Sequence, residues 1–172
     1  MKLFYILISF ISFNISGSIY DLEVNALDGT TIKLSDYSGT KLIIYEFNPV
    51  QLDTIQLRYL DSIQNSNQSI HVLAVPAIEF GTVGDSVLQN SIFGLNLSYK
   101  FLQPLAVQKS SLNNQSSLFK WITDVNLNSH FDHEVTNPGE FFIISEKGTL
   151  YGIINSNTST DIINDVINQN LN

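Results

Sequence analysis

Lys41-Leu42-Ile43-Ile44-Tyr45-Glu46-Phe47 is a nearly continuous apolar run, the pattern of a strand buried on both faces of a sheet. Over residues 52–63 the period changes, and Leu52, Ile55, Leu57, Tyr59, Leu60 and Ile63 recur at helical spacing. His71-Val72-Leu73-Ala74-Val75 then forms a second apolar strand, which Pro76 is expected to stop. Strand, helix and strand within about 35 residues predict a βαβ unit with parallel strands.

Upstream, Tyr20-Asp21-Leu22-Glu23-Val24 alternates apolar and polar, as a half-buried strand does. Asp28-Gly29 is a turn signal, and Thr31-Ile32-Lys33-Leu34 alternates again, so the two segments predict a hairpin. Downstream, 85–93 reads as a short helix capped by Asp85 or Ser86, and 116–123 as another capped by Ser116 or Ser117. A strand at 140–144, a turn at Glu146-Lys147-Gly148 and a strand at 149–154 predict a second hairpin. The last helix, 160–170, places Ile162, Ile163, Val166 and Ile167 on one face. This order predicts an α/β, thioredoxin-like fold: a central mixed sheet flanked by helices, with an N-terminal β-hairpin and an insertion between its halves.

The 172 residues suffice for one domain with a proper core. Hydrophobic residues make up 44% and charged residues 14%, a balance that excludes disorder. A net charge of −8 and the lack of any basic cluster argue against nucleic acid and anionic membranes as partners. The chain has no cysteine, which rules out disulfides, thiolate metal sites and thiol redox cycles within it. Met1-Lys2, an apolar run over 3–13 and the small residues Ser16, Gly17 and Ser18 predict a cleaved signal peptide over 1–18. The domain then spans 19–172, and the mature chain is expected outside the cell with no membrane insertion. Sequons at Asn67, Asn96, Asn114 and Asn157 permit glycosylation, although a chain this rich in Asn, Ser and Thr would hold roughly three by chance.

Three stretches resemble the glutathione peroxidase family. Ser18-Ile19-Tyr20-Asp21-Leu22, with Asp28-Gly29 and Leu34-Ser35-Asp36-Tyr37-Ser38-Gly39, is similar to that family's opening. Val72-Leu73-Ala74-Val75-Pro76-Ala77-Ile78-Glu79-Phe80-Gly81 is similar to its second strand and loop, and Leu118-Phe119-Lys120-Trp121-Ile122 to a later helix. The spacing agrees across nearly the whole chain after the leader.

The resemblance implies reduction of hydroperoxides by a selenolate or thiolate at the N-terminus of the helix after the first central strand, with Gln, Trp and Asn as donors. Here that nucleophile's position falls on Val50, and a slip of one residue gives Pro49 or Gln51. The Gln position falls on Glu79, the Trp–Asn pair on Asn137 and Pro138, and the resolving-cysteine position on Ala77. None of these side chains can attack a peroxide. The expected function is therefore an inactive pseudoperoxidase that binds an unknown protein or small molecule, with no cofactor and no metal. The alternative is acid–base or metal-assisted chemistry at the same place, using Glu79 or the His130/His133 pair. A solvated loop is the simpler reading of Glu79 and of His130-Phe131-Asp132-His133-Glu134, and Trp121 is read as core.

Overall fold

The computed structural model describes residues 17–111, 114–155 and 157–169. Most of the expected leader, residues 1–16, and the last three residues lie outside them.

The sheet is built on β3 (Lys41–Phe47), which pairs in parallel with β4 (Ile70–Pro76) and antiparallel with β6 (Phe141–Ile144). Beyond β4 lies β5 (Lys100–Phe101) and beyond β6 lies β7 (Leu150–Ile154), giving the order β5-β4-β3-β6-β7. All seven residues of β3 are buried, because strands cover both its edges and apolar layers cover both its faces. Leu42 and Ile44 face one layer, together with Leu118, Phe119, Trp121 and Ile122 around α3 (Ser117–Thr123). Ile43, Tyr45 and Phe47 face the other. That layer takes Leu57, Leu60 and Ile63 of α1 (Thr54–Ser66), Leu88 and Ile92 of α2 (Asp85–Phe93), and Ile163 and Ile167 of α5 (Thr160–Asn168). Each such side chain contributes roughly 1.5–3 kcal/mol on burial. A separate hairpin, β1 (Glu23–Asn25) with β2 (Thr31–Lys33), covers the β5 side through the Leu27 N–H to Phe101 O and Gln103 N–H to Asn25 O bonds. The expected thioredoxin-like layout is what the chain adopts.

Several boundaries differ from the expectation, each for a local reason. Tyr20 and Asp21 form a 3₁₀ turn, not strand, because Ser18 and Asp21 cap each other's backbone. Helix α1 starts at Thr54, since Asp53 is its cap. Pro76 is paired in register with Phe47 and so belongs to β4. Glu140 precedes β6. Two short elements carry no periodic signal: β5, fixed by its register with Leu73 and Ala74, and α4 (Val125–Asn128), capped by Asp124. Trp121 is core, as expected, and its indole N–H donates to Gly17 O at 2.7 Å.

Lys41 is a buried cation at the start of β3. Its ammonium donates to Ile167 O and, at 2.8 Å, to Gln169 O, capping the C-terminal end of α5. Glu146 lies 3.9 Å away, and desolvation holds the lysine's pKa below its ordinary value. Lys41→Met leaves those carbonyls unpaired and is expected to cost about 1–3 kcal/mol, with loosening confined first to α5, as read by urea denaturation and amide exchange.

Candidate functional site

In open α/β sheets ligands gather beyond the carboxyl ends of the strands, and here the ends of β3 and β4 lead into the segments 48–53 and 77–81. The first begins with a tight turn in which Asn48 Oδ1 accepts from Val50 N–H (2.8 Å) and Gln51 N–H (3.2 Å). The turn buries Pro49 and turns Val50 and Gln51 outward, with Val50 56% exposed. Val50 lies over Gly81, where a Cβ would sit 2.5 Å from Val50 Cγ2; with φ at +144°, that position is reserved for glycine on both counts.

Asp53 follows, and its Oδ1 accepts from Gln56 N–H at 2.9 Å. The positive end of α1, where an anionic ligand or thiolate would gain most, is thus already filled by a carboxylate of the chain itself. Sequence reading missed this cap, although an Asp immediately before a helical period is its usual signal.

The structure corrects the reading of Glu79 as a solvated loop residue. Both carboxylate oxygens accept from Val107 N–H at 3.1 Å, and Oε1 also receives Gln108 N–H at 3.4 Å. Glu79 therefore staples the loop after β4 to the 102–108 segment. Asn137 donates to its neighbour Thr136. Pro138 meets Asn48, Gln51 and Asp53 across a shallow cleft of about 170 Å³ that also includes Tyr45, Phe47 and Gly139. Val50 and Glu79 are linked through the Gly81 loop, and Pro138 reaches the same turn from the opposite wall.

Beneath this surface lies a group the sequence reading passed over. Glu46, the one carboxylate in the β3 run, has no exposed surface. Its Oε1 accepts from Glu140 N–H at 3.0 Å, while Oε2 is buried without a hydrogen-bond partner. Desolvation first, then the Glu140 and Glu79 carboxylates, push its pKa up to about 8, so that it is mostly a neutral acid at pH 7. Glu140, also buried, has Oε2 2.7 Å from His133 Nε2. His130 is held instead by Asn128, with Nδ1 2.9 Å from Asn128 O, so the two histidines do not converge. Among the described residues no cluster of three His, Asp or Glu side chains is placed to hold a metal, and no helix is long and apolar enough to cross a membrane.

No family model matches the chain, and no curated protein matches it in sequence. Solved structures do match in shape. Trgpx in its apo form is 20% identical with a TM-score of 0.66, covering 88% of this chain and 93% of its own. T. cruzi GPX1 is 19% identical with a TM-score of 0.64, covering 88% and 94%. A thiol:disulfide interchange protein of the thioredoxin family from Chlorobium tepidum is 13% identical with a TM-score of 0.58, covering 85% and 90%. At these identities the likeness is one of fold, and the fold is thioredoxin-like.

Because Glu79 joins two loops, Glu79→Ala is expected to destabilise the protein by about 1–3 kcal/mol, leaving backbone donors unpaired. Urea denaturation checks this.

Proposed function

We propose that this chain is a secreted, divergent relative of the glutathione peroxidases that reduces no hydroperoxide and acts as a binding module. The observation that carries the proposal is the composition of the turn after β3. Reduction of an O–O bond needs a polarisable, electron-rich atom held as an anion beside donors. The turn presents Val50 and Gln51, and its helix end is occupied by Asp53. Across the cleft stands Pro138, which has no side-chain donor. The likeness in shape to two GPX proteins over almost their whole length supports the family reading, as do the motifs in order along the sequence. The leader-like residues 1–18 support export, and the four exposed sequon asparagines are compatible with it.

Acid–base chemistry at the same place is the second reading, favoured by the raised pKa of Glu46. It lacks a route for substrate, since Glu46 is wholly buried and Glu79 is committed to two backbone amides.

The test is a thiol-coupled NADPH assay with hydrogen peroxide and a lipid hydroperoxide. The expected rate equals that of the heat-treated protein. Heat-sensitive, thiol-dependent turnover would overturn the proposal.

A further inference from the structure

Glu46 binds Gly139 and Glu140 in three ways. Its carbonyl accepts from Gly139 N–H (3.1 Å), its own N–H donates to Glu140 O (3.2 Å), and Oε1 accepts from Glu140 N–H (3.0 Å). The loop leading into these residues is closed at its other end, where His133 N–H donates to Thr123 O at 3.0 Å and His133 Nε2 meets Glu140 Oε2 at 2.7 Å. Between the two anchors lies the stretch 134–139, whose Pro138 forms one wall of the cleft opposite Asn48 and Gln51.

We propose that Glu46, Glu140 and His133 form a proton-operated latch, which holds the 134–139 loop over the cleft while Glu46 keeps its proton and releases it when that proton is lost. The inference does not depend on whether the chain binds a partner or lacks peroxidase activity.

The charges around Glu46 set the direction. From the residue just before β6 it faces the Glu140 carboxylate, and from the loop after β4 the Glu79 carboxylate. Tyr45, one residue back on the opposite face of β3, is itself kept neutral by burial. The ion pairs of Lys33, Lys41, Lys100 and Lys109 are with Glu23, Glu146, Asp28 and Asp132 respectively, none of them a member of the cluster. The His133 ring is the side chain that meets Glu140, with Nε2 2.7 Å from Oε2. A proton on Glu46 therefore keeps a second negative charge out of a buried site with which none of these four lysines pairs.

The sign follows from linkage. Glu46's pKa is raised in the closed state and returns toward the ordinary carboxylate value when the loop opens to water. Closure is thus firmest in acid, weakens as pH climbs from the ordinary carboxylate range to about 8, and changes little above that.

Amide exchange on the full-length chain from pH 5.5 to 9.5, corrected for the intrinsic rate, tests this. The Gly139 and Glu140 amides are expected to lose protection by up to roughly tenfold per pH unit until near pH 8, then level off. Amides in the middle of β3 should hold theirs. Glu46→Gln should remove the dependence, and His133→Gln should lower protection at pH 6 while keeping the slope. A carbon-13 titration of the Glu46 carboxyl in the unmodified protein should give a midpoint near 8, whether or not the variants fold. Exchange at Gly139 and Glu140 independent of pH, an unchanged slope in Glu46→Gln, or a Glu46 midpoint below 6 would overturn the latch.

Discussion

β3 is hydrogen-bonded along both edges and packed on both faces, and the rest of the chain takes its place from it. A strand so enclosed tolerates a polar group only where a partner has been built for it. The two charged residues of β3, Lys41 at one end and Glu46 near the other, show two outcomes of that constraint. Lys41 finds helix carbonyls and keeps its charge close to Glu146. Glu46 finds a single backbone N–H and two like charges, and is driven toward the neutral acid.

The same constraint shapes the surface above. The ends of β3 and β4 aim their loops at one place, where a thioredoxin-like protein working by thiol chemistry needs an electropositive pocket. This chain has put carboxylates there. Asp53 occupies the helix end, Glu79 spends its oxygens on the 102–108 segment, and Glu46 and Glu140 lie beneath. Val50, Gln51, Asp53 and Pro138 are the exposed side chains here, and the last three of them line a shallow cleft.

The sheet and its flanking helices were legible because their periods are strong. The apolar runs of β3 and β4 and the hairpin at Gly148 agree with the final packing. The helical spacing does so only in part, since Ile55 of α1 and Ile162 of α5, expected on the apolar faces, point to solvent. Where the sequence reading failed, the deciding contact was distant or the element too short to show a period. β5 exists through its register with Leu73 and Ala74, and the role of Glu79 depends on amides 28 and 29 residues away. The significance of Glu46 was available as an anomaly, a carboxylate inside an otherwise apolar run. Its pairing with Glu140, 94 residues on, was not.

The central claim is electrostatic: the turn after β3 offers no stabilisation to a thiolate. The pH dependence of thiol alkylation in Val50→Cys and in Gln51→Cys measures this directly. In both variants the thiol is predicted to titrate at or above the free value of about 8.5, because Asp53 already fills the helix end and further carboxylates lie nearby. A thiol pKa well below 7 at either position would contradict the account.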